Sequence, residues 1–502
     1  MVGKESDQTR IDFHKINKSN YLFILIFIIL LGIILRILFI NTREIAYDDA
    51  FSYFLSIQTL DRIVQGTVAD TMPPLYYFLL HFWTRVSTEI GYLRFLNVII
   101  NEISIVFAYL LVKDQFNKQT AAVTALFLSI CPFLLFHSQE LRMYSLLLLG
   151  QTGFLYFAYK IVSQSNKLIW YFMAILFGTI AMYSHNLAFI GIIPINIFIL
   201  SKNKRKYFIK LLFVQIAILL LYVPWASNLI EQIAKVQTAF WTPRPGLLEI
   251  IQAVLTLFAF LPMPIPTMAF VLILLLQGFI LCFVWLVKQK NKKIFEFVII
   301  GLIPPFILFI MSYLTRPVFV PRIFLLSIVF GYFFVAMFIV NNWSLITSKI
   351  ILGTFILASV ISLPYFYLFE SFPRSSFREA EAYLSNAVES ENGIILHDNK
   401  LSFFPVQFYN VDLEQFFLPD IPGSSNDTLA VRTQEVIGYF ASKGIEDFED
   451  ALLIYYVVFE KAEGDYLDLG MEHPIIQELG AQYRIEDKVY FGDLIIYKFR
   501  KI

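Results

Sequence analysis

Two adjacent carboxylates, Asp48 and Asp49, stand in the stretch EIAYDDAFSYFLS, shortly after the apolar run LFILIFIILLGIILRILFI. A carboxylate placed against an attacking hydroxyl can take its proton, provided position and acidity suit the task. Other ionisable groups recur at the ends of later apolar runs. They are Asp70 in DTMPP, Glu140, Arg142 and Tyr144 in SQELRMYS, His185 in YSHN, and Arg316 and Arg322 in TRPVFVPR, with Arg36 inside the first run. His81, Arg94 and His137 lie in similar positions. An arginine fork donates two parallel hydrogen bonds to a phosphate while keeping its charge. Carboxylates and guanidiniums together suit a lipid phosphate as leaving group and a hydroxyl or amine as acceptor. Paired acids and bases would equally serve ion-coupled transport, so residue types leave both classes open.

The elements that must position these groups are membrane helices. The chain has 502 residues, 58% hydrophobic and 16% charged, with 53 Phe and no net charge. Its mean hydropathy of +0.67 lies far above the soluble range. Nothing in the charge balance argues for a nucleic-acid partner. Apolar runs long enough to span a bilayer are expected near 21–40, 92–112, 120–137, 142–162, 168–185, 187–200, 207–226, 267–287, 294–313, 321–340 and 348–368. The basic loops SKNKRK and KQKNKK hold no acid and are assigned to the cytoplasm. About eleven spans satisfy both loops. Adding 72–86 or 247–266 as a span breaks the agreement, so these two stretches are read as juxtamembrane helices on the outer face.

The expected organisation is a polytopic α-helical membrane protein with a cytoplasmic tail (1–20), a transmembrane catalytic domain (21–368) and a small extracytoplasmic domain (369–502). The N-terminal run is about twice the length of a signal-peptide core and lacks a cleavage site, so it is read as a retained span. From SFPRSSFREAEAYLSNAVE onward the pattern turns soluble, and the domain is read as α/β or α+β. Helical periodicity marks REAEAYLSNAV and LAVRTQEVIGYFASKG; strands are expected at GIILHD, ALLIYYVVFE, YRIEDKVYFG and DLIIYKF. Cys131 and Cys282 sit in apolar runs and make no disulfide framework. No spacing among Asp48, Asp49, Asp70, Glu140 and His185 is a metal motif, which leaves a divalent metal undecided.

The order of motifs adds a resemblance. Arg36 in the first span, then YDDAFSYFL, DTMPPLYYFLLHFW, GYLRFLNV, FHSQELRMYSLLLL, MYSHNLAFI and RPVFVPRIFL resemble the GT-C superfamily of membrane glycosyltransferases. The likeness is to the branch of protein mannosyltransferases and lipid A aminoarabinose transferase. It implies an inverting enzyme that moves a sugar from a polyprenyl-phosphate carrier to a glycan, lipid or protein acceptor on the outer face of the cell membrane. It also implies Asp48 as the catalytic carboxylate, with Asp49 standing where the family usually has Glu. Where the family has a basic residue before two prolines, this chain has Met72 before Pro73 and Pro74. Methionine cannot hold a phosphate, so either Arg142, Arg322 or His185 takes over or the carrier is bound differently.

Simpler readings stand beside these. Asp49 is also a favourable acid at a helix start. Glu140 and Arg142 could be an interfacial pair. Glu102 could be a buried, paired carboxyl. The rival function is a transporter or flippase of a lipid-linked or anionic substrate. It requires polar residues along a through-path, whereas the cytoplasmic halves of the spans are almost entirely Ile, Leu, Phe and Val.

Overall fold

Where apolar side chains run unbroken for five turns or more, only a helix satisfies every backbone group within its own segment. The computed structural model follows this rule; it describes residues 18–163, 167–196, 205–238, 242–259, 263–368, 375–422, 424 and 428–502. The expected tail up to residue 17 and most of the loop SKNKRK lie outside the described residues. In chain order the first helices are α1 (Lys18–Ile37), α2 (Tyr47–Ser56), α3 (Leu60–Ala69), α4 (Leu75–Thr84) and α5 (Ile90–Gln115). Next come α6 (Lys118–Ile130), α7 (Pro132–Ser138), α8 (Tyr144–Ser163), α9 (Leu168–Ser184) and α10 (Phe189–Ile192). The remaining apolar helices are α11 (Arg205–Thr238), α12 (Leu247–Phe258), α13 (Ile265–Gln289), α14 (Lys292–Leu314), α15 (Leu326–Asn341) and α16 (Ile346–Tyr367).

Among the described residues, six helices (α5, α8, α11, α13, α14 and α16) are long and apolar enough to cross a membrane. The pair α6 and α7, bent by 60°, raises this to seven. Helices α1, α9 and α15 are apolar but shorter. Every run expected to span therefore falls on a helix except 187–200, where the described helical residues are those of the single turn α10 and 195–196. Pro132 explains the bend: it has no N–H to give, and Cys131 before it is extended at φ −67° and ψ 116°. The stretches expected to lie on the membrane surface form α4 and α12, of 10 and 12 residues, too short to cross.

The C-terminal region is a five-stranded mixed sheet ordered β2-β1-β3-β5-β4. Its strands are β1 (Ile394–His397), β2 (Gln415–Phe417), β3 (Leu453–Phe459), β4 (Tyr483–Phe491) and β5 (Leu494–Lys501). Strand β1 runs parallel to β2 and β3, while β3, β5 and β4 are antiparallel. Helices α17 (Phe377–Glu391), α18 (Lys400–Tyr409), α19 (Val431–Ile437), α20 (Glu460–Leu467) and α21 (Pro474–Gly480) surround it. The four expected strands are present; β2 is additional, too short to carry a period. The helix expected over 429–444 is cut to α19, because Gly438 takes φ +82° and ends it. Tyr439 then reaches back to Phe54, ring to ring at 5.0 Å.

Candidate active site

Asp48 lies in the first turn of α2, and its neighbourhood is assembled from separate elements. Oδ1 is 3.9 Å from Nη1 of Arg142, just before α8, and Oδ2 is 3.7 Å from Nη1 of Arg322, in the short 3-10 turn Pro321–Ile323. Both distances exceed a direct hydrogen bond, so the guanidiniums attract Asp48 without closing on it. The Asp48 side chain remains 38% exposed. Pro321 opens the turn that aims Arg322, as proline does at a helix start.

Tyr144 and His185 complete this face. The Arg322 guanidinium lies 5.2 Å from the centre of the Tyr144 ring, within cation-π range. His185 packs near Tyr144, ring centres 6.3 Å apart, and its Nδ1 accepts the Leu187 N–H at 3.1 Å. A neutral imidazole accepting at Nδ1 carries its proton on Nε2, where it can donate. Asp70, which closes α3, lies within electrostatic reach of Arg142. Pro74 precedes α4 directly, so the paired prolines start that helix as expected, and the half-buried Met72 packs against the core.

Asp49 faces the other way. It is buried; Oδ1 accepts the Leu141 N–H at 2.8 Å, and Oδ2 lies 3.9 Å from the Arg94 guanidinium. Desolvation pushes its carboxyl up to about 6 against the pull of Arg94 and Arg43. Asp49, which the sequence reading also grouped with the catalytic acids, thus fixes the SQELRMYS loop to α2 rather than lining the Asp48 face. The cause is helical geometry, since adjacent residues on α2 point about 100° apart.

Glu140 is also directed inward. Its Oε2 meets His137 Nδ1 at 2.7 Å. Burial opposes its charge, but His137, Arg43 and Arg322 hold the carboxyl below the usual range. Its expected partner was Arg142; its hydrogen-bonded partner is His137. Asn97 donates to the carbonyls of both Glu140 and Arg142, so it shapes this loop from α5.

Two expected site residues are placed elsewhere. Arg36 is fully buried, 2.9 Å from Glu102, and donates to Asn101 and to the carbonyls of Gly32 and Ser129. Its donors are consumed in tying α1 to α5 and α6, because a buried guanidinium must be paired and hydrogen-bonded. Arg316 is exposed and shares none of the contacts that join Asp48, Arg142 and Arg322.

Three residues around the Tyr47–Asp48 segment escaped the sequence reading. Tyr77 of α4 is buried, lies within electrostatic reach of Arg142, Asp70 and Asp48, and its hydroxyl has no hydrogen-bond partner among the described residues. It stands three residues after Pro74, a signal within the quoted motif. Lys400 and Asp420 come from the sheet region, where they pair, and the Lys400 ammonium lies 5.9 Å from the Tyr47 ring. No local pattern relates them to a segment more than 300 residues earlier. Among the described residues, no group of three or more His, Cys, Asp or Glu side chains could hold a metal ion.

Comparison with known proteins bears on this arrangement. The sequence model described as dolichyl-phosphate-mannose-protein mannosyltransferase matches residues 71–230. A search of curated proteins returns no match. ArnT from Cupriavidus metallidurans in the apo state superimposes with a TM-score of 0.59 at 10% identity, over 96% of this chain and 98% of that one. The same protein bound to undecaprenyl phosphate gives 0.58 at 10% identity, with the same coverage. The apo oligosaccharyltransferase of Archaeoglobus fulgidus gives 0.55 at 13% identity, over 92% of this chain and 72% of that one. At such identities the likeness is one of fold. The chain thus resembles the GT-C superfamily in its ordered motifs, in the match over 71–230 and in its fold.

Proposed function

We propose that this chain, with its GT-C fold, is an inverting glycosyltransferase that takes a sugar from a polyprenyl-phosphate carrier and passes it to an acceptor outside the cell membrane. The observation that carries the reading is the half-exposed Asp48 carboxylate between the Arg142 and Arg322 guanidiniums. Support for a lipid-phosphate donor comes from ArnT, whose structure was solved with undecaprenyl phosphate.

In the structure the two arginines attract Asp48 by charge. An arriving phosphodiester offers them a better-matched anion, so the forks turn to its oxygens and Asp48 is released toward the acceptor. The acceptor hydroxyl or amine attacks the anomeric carbon opposite the phosphate. The carbon–oxygen bond to phosphate breaks, the new bond forms with inversion, the acceptor proton passes to Asp48, and polyprenyl phosphate departs with its charge met by Arg142 and Arg322. Tyr77 and His185 Nε2 supply neutral donors beside that charge.

The division into a cytoplasmic tail, a membrane catalytic domain over 21–368 and an extracytoplasmic domain over 369–502 belongs to the same proposal. So do about eleven spans, α4 and α12 lying on the outer face, and a cytoplasmic N-terminus. Replacing Asp48 with Asn keeps the shape and removes the base. The variant should insert and unfold like the parent while losing at least about a thousandfold in transfer from a polyprenyl-phosphate sugar. Near-normal turnover by a correctly folded variant, or substrate translocation without transfer in proteoliposomes, would overturn the reading.

A further inference from the structure

A cavity of about 710 Å³ opens where the end of α1, the start of α5 and helices α17 and α18 meet. Asp48, Arg142, Arg322 and His185 are absent from its lining, so it is separate from the candidate active site. Its walls are graded. Ile37, Ile40 and Phe95 line it where α1 leaves its apolar run and α5 begins, while Glu89, Arg378 and Glu381 line it toward the sheet region. Ile37 is 43% exposed, and its neighbours Leu38 and Phe39 are 42% and 48% exposed, so the apolar wall continues outward as an open surface. An apolar surface at a helix end, leading into a polar cavity of this size, has the form of an amphiphile site.

The polar end is built rather than incidental. Arg378 donates to the Asn41 carbonyl at 3.2 Å, and its guanidinium lies 5.2 Å from the centre of the Tyr409 ring. Glu381 is held by Ser385 at 2.6 Å and by Asn410 at 3.1 Å. A Cβ on Gly91 would come within 2.0 Å of Asn41 Oδ1, so glycine there lets the Asn41 loop close against α5. Glu89 flanks the start of α5 and makes no side-chain cap bond.

We propose that this cavity binds the zwitterionic headgroup of a bilayer lipid, with a phosphate linked to an ammonium, as in phosphoethanolamine lipids. Arg378 takes the phosphate, Glu89 and Glu381 take the ammonium, and the acyl chains leave over Ile37 and Leu38. The lining holds one cation and two acids, and Glu44 lies within electrostatic reach of Arg378, so a purely anionic headgroup is disfavoured. The site does not depend on the reaction assigned to Asp48.

The full-length protein, purified in detergent with equimolar phosphatidylethanolamine and phosphatidylglycerol, tests this by native mass spectrometry of retained lipid. The ethanolamine lipid should be retained in preference, and Glu89→Gln and Arg378→Gln should each cut that preference by about fivefold, the effect of one solvent-accessible charge pair. Because Arg378 also braces a loop, Glu89→Gln is the variant that separates binding from folding. A photoreactive ethanolamine-lipid probe should label residues 88–95 and 377–391. Equal retention of the two lipids, a preference that Glu89→Gln leaves unchanged, or labelling confined to other segments would each overturn the proposal.

Discussion

Asp48 keeps 38% of its side chain exposed between two guanidiniums, while Asp49 is buried and bound by the Leu141 amide. The first can meet a substrate; the second holds a loop. Arg142 and Arg322 share the phosphate in the proposed mechanism, so replacing either with Gln should lower kcat/KM by about 100-fold, with a weaker affinity for the carrier phosphate. Steady-state kinetics against a short polyprenyl-phosphate sugar would read this, and unchanged donor affinity in both variants would remove them from the site. Asp49 gives a prediction in pH. Its folded pKa, about 6, is raised above the ordinary carboxylate value near 4, so the folded chain binds the extra proton between these values. Its contribution to stability is complete below about pH 4 and is lost as pH rises through about 6. The variant Asp49→Asn imitates the protonated form, so it should gain on the parent in thermal stability across that window. Parallel curves for the two proteins would contradict the assignment.

The element that carries Asp48 is short, and its entry is fixed from α5. Arg94, fully buried, donates to the carbonyls of Ile40, Arg43 and Glu44 and lies beside Asp49. Removing it leaves three carbonyls and a carboxylate unmet at once. Arg94→Gln should therefore destabilise the protein by about 3–5 kcal/mol and reduce transfer without any contact to substrate. Thermal unfolding would show the first effect, and a fall in kcat with little change in donor KM the second. In the chain, Arg94 looked like one more arginine near a helix end. What distinguishes it is the set of carbonyls it meets some 50 residues earlier, which no periodicity encodes. Elements set by local rules were easier to read. Pro74 starts α4 and the apolar alternation of DLIIYKF becomes β5, whereas Pro132 splits into α6 and α7 a run read as one span. By contrast, β2 and α18 were missed, one for its brevity and the other for the internal Pro405.

At the scale of the whole molecule, the sheet region is packed onto the helix bearing Asp48. Phe404 of α18 meets Tyr47 at 5.4 Å and Phe54 at 5.9 Å, and Tyr53 meets Phe408 at 4.9 Å. Glu44, just before α2, accepts a 2.6 Å hydrogen bond from Tyr409. Because Phe404 is fully buried, Phe404→Ala should cost about 3–5 kcal/mol and loosen α2, lowering transfer together with the unfolding temperature. A variant of reduced stability but unchanged turnover would mean that the sheet region does not help to hold Asp48.

The amino-acid sequence by itself determined the helical, apolar character of the long runs, the sheet-forming C-terminal region and the candidate acidic loop. Span length, alternation and proline stops depend on residues that are neighbours along the chain, so they are legible there. Tertiary structure alone decided which charges are spent and which remain available. Arg36 and Arg142 look alike as arginines near span ends, yet one is consumed by Asn101 and Glu102 and the other faces Asp48. The same holds for Lys400 and Asp420, brought beside Tyr47 from the far end of the chain. A charge selects its partners through space, and only packing brings those partners within reach.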